Sequence, residues 1–185
     1  MRFNDHFRLV GAHSFLSASK YHWVNYTDEQ FDKYMLTQLA AQRGTELHEL
    51  AARLIKMGVR LPDTSATLNR YVNDAIGYRM DPERVLFYSE NCFGTADAIS
   101  FRDNLLRVHD LKTGVTQTSM RQLLVYNAMF CLEYGYSPTE IAIENRIYQN
   151  DECRIESPAP MEVQAIMSKI IAFDKRAREI REEGH

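Results

Sequence analysis

The chain has 185 residues, 45% of them apolar, with a formal net charge of −3 and a pI near 6.1. That is enough apolar sequence for one domain with its own core. It lacks the run of about eighteen apolar residues that would span a bilayer, so no membrane association is expected, and it lacks the basic excess that marks a wholesale nucleic-acid binder.

Met1 to His6 lack the charged-then-apolar pattern of a secretion signal, which points to the cytosol. Ser17-Ala-Ser19 offers helix N-caps ahead of Tyr21, Trp23 and Val24. From Asp28 to Met57 apolar residues (Phe31, Tyr34, Met35, Leu39, Leu47, Ala51, Leu54 and Ile55 among them) recur at helical spacing, with Gly58 as C-cap and Arg43-Gly44 as a potential break. A short helix is expected from Thr67 to Ile76. Strand texture follows in Val85–Glu90, Gly94–Phe101 and Leu105–Thr113, the last two joined by an Asp103-Asn104 turn. Thr118–Tyr134 reads as an apolar helix closed by Gly135, Glu140–Gln149 as a strand, and Met161–Glu182 as a final helix behind Pro158 and Pro160. The fold class is α/β, a mixed sheet flanked by helices, in one domain of three parts: a helical 1–80, a sheet and helix over 81–150, and strand plus helix over 151–185.

Four short patterns carry chemistry. Alternation along a strand points Asp110 and Lys112 the same way and sends Leu111 into the core. Asp97, set among Ala96, Ala98 and Ile99, is costly to bury unless it meets a metal or a donor. Two neighbouring carboxylates repel unless a cation lies between them, and a hard divalent ion with oxygen ligands is the simplest resolution. His48 can add a nitrogen ligand, a donor set that suits Mn²⁺ as well as Mg²⁺. Gln122 and Tyr126 share one helix face at i and i+4, beside Arg121, where an amide, a phenol and a guanidinium can meet a phosphate or a base. Taken singly, each pattern also has a bland reading: D-x-K is ordinarily a solvated strand face, and a helical histidine is more often structural. The aromatic segment Tyr21, Trp23, Tyr26, Phe31, Tyr34 reads as helix-to-sheet packing or as a stacking surface. Arg53, Lys56 and Arg60 read as a phosphate track or a solvated face. Cys92, Cys131 and Cys153 form no CxxC pair and read as buried free thiols.

In combination and order, these patterns resemble the RecB-like branch of the PD-(D/E)XK nucleases over most of the chain, from Ser17 to the last helix. Gly44-Thr-Glu-Leu-His48 is similar to the family's G-T-x-x-H, Gly94-Thr-Ala-Asp97 to its G-x-x-D, Asp110-Leu-Lys112 to its (D/E)-x-K, and Gln122 to Tyr126 to its Q-x-x-x-Y. The resemblance implies a restriction-endonuclease-like core. It implies His48, Asp97, Asp110 and the Leu111 carbonyl as ligands of Mg²⁺ or Mn²⁺, and Lys112 as the catalytic lysine. Gln122, Tyr126 and Arg121 are implied to contact nucleic acid, and Glu90 is a further acidic candidate near the metal.

The implied activity is metal-dependent hydrolysis of DNA, as an exonuclease in recombination, repair or phage DNA metabolism, in a bacterial or phage-infected cytosol. Processive digestion by so small a chain implies a homo-oligomer or a recombination partner protein. An endonuclease on the same fold, a non-catalytic nucleic-acid-binding or regulatory protein, and RNA as substrate all stay open. Some RecB-like nucleases hold a 4Fe–4S cluster on four cysteines; Asn25-Tyr26 and the lone C-terminal Cys153 predict none here. No G-x-x-x-x-G-K-[ST] loop occurs, so no ATP site is expected.

Overall fold

The computed structural model describes residues 4–12 and 14–184; the first three residues of the Met1–His6 stretch lie outside them. The chain forms two compact units, 1–45 and 46–185.

In the first unit, two short 3-10 segments, Phe7–Leu9 and Ala18–Asn25, precede the start of a long helix. Ser17 does not cap a helix: its hydroxyl pairs with that of Ser19 (2.8 Å), and Trp23 Nε1 donates to its carbonyl. The effective start signal is Thr27-Asp-Glu-Gln30, a capping box in which Thr27 N–H donates to Gln30 Oε1 (2.9 Å) and Gln30 N–H to Thr27 Oγ1 (3.3 Å). Helix α1 then runs from Asp28 to Met57 without a break at Arg43-Gly44. A single glycine costs a helix only about 1 kcal/mol, too little to interrupt so long an element. Tyr26, Phe31 and Tyr34 pack on one another within this unit, while Tyr21 is exposed.

In the second unit, α1 ends at Gly58, whose φ of 66° lets Val59 N–H reach back to the Leu54 carbonyl (3.0 Å). Helix α2 (Thr67–Gly77) follows, then strands β1 (Asp81–Ser89), β2 (Cys92–Arg102) and β3 (Leu105–Leu111), helix α3 (Arg121–Tyr134), strands β4 (Ala142–Gln149) and β5 (Glu152–Glu156), and helix α4 (Pro160–Glu183). The five strands form one mixed sheet in chain order: β1–β2–β3 is an antiparallel meander, α3 carries the chain across to a parallel β4, and β5 returns antiparallel. Two of the two-residue turns, Asp103-Asn104 and Asn150-Asp151, have positive φ at both residues, the backbone that a tight hairpin needs and that Asn and Asp tolerate. Asp151 also accepts from the Thr67 backbone N–H (2.8 Å), capping α2 from 84 residues away, because Ala66 at the N-cap supplies no acceptor.

Alternation along β3 divides the core. Leu106 and Val108 join Leu86, Ala96, Leu123, Ile147 and Val163 beneath α3 and α4. Leu111 joins Ala98, Tyr148, Ala51, Ile55, Tyr71 and Val72 beneath α2 and the end of α1. This is a three-layer α/β arrangement. The three cysteines are free; Cys131 alone is buried, and Cys92 and Cys153 are half-buried. Among the described residues no helix is long and apolar enough to cross a membrane.

Leu106 is fully buried at the sheet centre. Leu106→Ala is expected to lower unfolding free energy by about 2–5 kcal/mol, read as a lower urea midpoint at unchanged m value. No shift of the midpoint would mean that this layer is not close-packed.

Candidate metal centre

Strand register assembles the centre. Pro82 lies opposite Ala98 and Arg84 opposite Ala96, so Glu83 falls opposite Asp97. Ala98 lies opposite His109, so one more step places Asp97 opposite Asp110. Three carboxylates thus share one rung of β1, β2 and β3. His48 comes to it from α1, on the helix face that sends Ala51 and Ile55 into the core. The His48, Glu83 and Asp97 ligand atoms lie within 4.8 Å of one another, a grouping able to hold a metal ion. Asp110 is not in that set of three and enters through its rung and through Lys112.

Asp97 Oδ2 accepts from the Leu111 backbone N–H at 2.8 Å and lies 3.3 Å from His48 Nδ1. The hydrogen bond between His48 and Asp97 raises the imidazole above its ordinary pKa; burial opposes the rise, and the charges of Asp97 and Asp110 add to it. Glu83 sits at a φ of 53°, a left-handed backbone that costs a non-glycine residue of order 1 kcal/mol or more. Burial and the charge of Asp97 push its carboxyl up.

Asp110 is 2% exposed. Its Oδ1 pairs with Lys112 Nζ at 3.0 Å, while its buried Oδ2 meets no donor among the described residues. An unpartnered buried carboxylate oxygen beside a second carboxylate and an imidazole is a fit for a hard divalent cation. His48, Glu83, Asp97 and Asp110 would hold it.

A chain of hydrogen bonds extends from Lys112. Its ammonium donates to Gln122 Oε1 (3.1 Å), Gln122 Nε2 to Tyr126 OH (3.2 Å), and Tyr126 OH to the Thr95 carbonyl (2.6 Å). The glycine of G-T-A-D follows from this chain, since a Cβ at Gly94 would stand 3.2 Å from Tyr126 Cε1. Gln122 and Tyr126 are therefore tied to the lysine and to β2. Arg121 is exposed at the start of α3, with no ion pair among the described residues.

The motif residues His48, Asp97, Asp110 and Lys112 come together, with the Leu111 peptide beside Asp97. Glu90 does not join them; it is exposed in the turn between β1 and β2. The acidic residue that β1 brings to the rung is Glu83. Asp81-Pro82 ahead of it reads as a turn, which hides the first residues of this strand, and Pro82 is tolerated because β1 is an edge strand. Compared with protein-family models, curated proteins and solved structures, the chain shows no match.

Burial, reinforced by Asp97 and opposed by Lys112, pushes the Asp110 carboxyl up from 3.8 to about 6. A carboxyl with a higher pKa folded than unfolded favours folding while protonated, so that contribution is complete below 3.8 and is lost as pH rises through about 6. At pH 8 the ionised group costs the metal-free protein about 1–3 kcal/mol. Asp110→Asn is therefore expected to unfold at a higher temperature than wild type at pH 8 in EDTA, with the advantage fading toward pH 4. Equal melting temperatures at pH 8 would contradict the strained-charge account.

Proposed function

We propose that the chain is a metal-dependent nuclease of PD-(D/E)XK type that hydrolyses DNA phosphodiester bonds, acting as an exonuclease in recombination, repair or phage DNA metabolism. The observation that carries this reading is the unpartnered Oδ2 of buried Asp110, on one rung with Asp97 and Glu83 and with Lys112 on its other oxygen. Asp110 Oδ2 is the one carboxylate oxygen among the buried polar atoms that find no partner among the described residues, the rest being neutral amide, hydroxyl and imidazole atoms. A bound Mg²⁺ or Mn²⁺ supplies Lewis acidity at the scissile phosphate and a lowered pKa for attacking water.

The chain's own groups divide the remaining work. Asp110 uses its two oxygens differently, one holding the lysine and one left for the cation. The Lys112 ammonium, fixed between Asp110 and Gln122, is a pre-positioned positive charge for the oxygen that gains charge as the phosphodiester opens. Asp97 is oriented by the Leu111 N–H, and its contact with His48 would give way for both side chains to take the ion. The resemblance of the four motifs to RecB-like nucleases supports DNA as the substrate, and the same geometry serves an endonuclease equally well. Covalently closed circular DNA separates the two, since an exonuclease leaves it intact.

Incubation of linear DNA with Mg²⁺ or Mn²⁺ tests the proposal. Lys112→Ala is expected to lower the cleavage rate at least about 100-fold while retaining calorimetric metal binding. Asp97→Ala should lose both. Wild-type cleavage by Lys112→Ala would refute the mechanism.

Gln122→Ala separates two roles for the Q-x-x-x-Y helix. Support of the lysine is expected to appear as a kcat drop of about 10-fold or more at unchanged KM, whereas a change confined to KM would assign Gln122 to the nucleic acid instead.

A further inference from the structure

From Glu83 onward, alternation turns Arg84 and Leu86 of β1, with Gly94 and Ala96 of β2, toward α3; Leu86 and Ala96 are buried there and Gly94 faces Tyr126. The opposite face of the same two strands is open. Its rungs, counted outward from the carboxylates, are Glu83 with Asp97, Val85 with Thr95, and Phe87 with Phe93. Val85, Phe87 and Phe93 are 52%, 49% and 63% exposed. Two phenylalanines paired across strands, about half in water or more and on the same face as Glu83 and Asp97, bury too little to be explained by core packing. Alternation places the aromatic rung about 13 Å along the strand from Glu83, within reach of nucleotides that flank a bond held at the carboxylates.

We infer that this outer face of the β1–β2 ribbon is a track for an unpaired nucleic-acid strand, with Phe87 and Phe93 as stacking platforms for its bases. The inference rests on the nuclease reading for the position of the scissile bond. An aromatic ring can stack on any base, but only where the base face is not covered by a partner, so the occupant is single-stranded. The charge balance agrees. A chain of net charge −3 has little surplus of basic residues for the phosphate-dominated binding of duplex DNA, so stacking supplies the affinity that charge does not.

The test measures binding without cleavage, by fluorescence anisotropy in Ca²⁺ with a labelled single-stranded oligothymidylate and a blunt duplex of equal length. Phe87→Ala and Phe93→Ala are each expected to weaken single-strand binding about tenfold, Phe93→Trp to preserve it, and duplex binding to stay unchanged. Both side chains are exposed, so the fold should survive these substitutions, and circular dichroism checks it. Hydrolysis of bis(p-nitrophenyl) phosphate, which has no base, should be unaffected by the phenylalanine variants and lost in Lys112→Ala. If wild type fails to hydrolyse that ester, the nuclease reading fails, while loss of oligothymidylate binding in the phenylalanine variants still identifies the track. Unchanged single-strand affinity in the double Phe87→Ala, Phe93→Ala variant overturns the inference. A dimer in sedimentation that those substitutions dissociate, without effect on single-strand binding, would assign the face to a second copy of the chain and also overturns it.

Discussion

Asp110 is almost fully withdrawn from water, and one of its oxygens meets no donor among the described residues. Ionised, it carries a desolvation cost that Lys112 only partly offsets, and the charge of Asp97 on the adjacent strand adds to the cost. The arrangement around it follows from that constraint. Lys112 lies two residues on along the chain, Gln122 and Tyr126 hold the lysine from α3, and Tyr126 reaches the Thr95 carbonyl because position 94 has no side chain to obstruct it. Removing a buried group's last available partner costs more than forming the bond contributes. A carboxylate left in this state is therefore maintained against stability, as expected of a group whose partner arrives from solution.

The other face of β3 shows what a buried polar group does when it serves structure alone. His109, one residue before Asp110, is likewise fully buried and its Nε2 also meets no partner among the described residues, but burial and the nearby charges of Arg146 and Arg107 push its pKa down to about 3 and keep it neutral. Tyr148 OH lies 3.3 Å from His109 Nδ1 and donates to Asp74 Oδ2, which also pairs with Arg146. Arg107 and Arg146 both lie over the Tyr78 ring and share Glu144. Its charges are paired within the fold, so it anchors β3 between α2 and β4. Neighbouring residues on one strand thus have opposite solutions: neutralisation by burial on one face, and an ionisable group held open on the other.

Much of this was legible because it is local. The αL glycines at 58 and 135, the Asp103-Asn104 hairpin and the alternation of β3 all follow from a few adjacent residues; so does the capping box at Thr27, which the reading of Ser17-Ala-Ser19 as N-caps passed over. The grouping of His48, Asp97, Asp110 and Lys112 was legible as well, since each motif names its element. What was not legible depends on pairing. Glu83 is a ligand candidate only because β1 lies in register with β2, and its left-handed backbone and the preceding proline disguise it as a turn. The N-cap of α2 is supplied by Asp151, from a hairpin whose Asn-Asp turn is a plain signal but whose destination is not. The unbroken course of α1 through Gly44 reflects cooperative helix propagation, which a single residue does not reveal.

The same register ties the chemistry to the open β1–β2 face. A strand that brings Glu83 to the carboxylate rung must send Val85 and Phe87 outward on the same side, just as Asp97 requires Thr95 and Phe93 to follow. A slip of one residue would turn the phenylalanines inward and would also scatter the acidic rung. The exposure of the aromatic pair and the assembly of the metal ligands are therefore one geometric choice. Glu83's strained backbone sits at the point where β1 commits to it, and Asp97 takes the matching place on β2. An edge strand that only closed the sheet would be free to turn its large apolar side chains into the core. Here that option is closed by the carboxylate rung, so the exposed rings are held on the strands that carry Glu83 and Asp97.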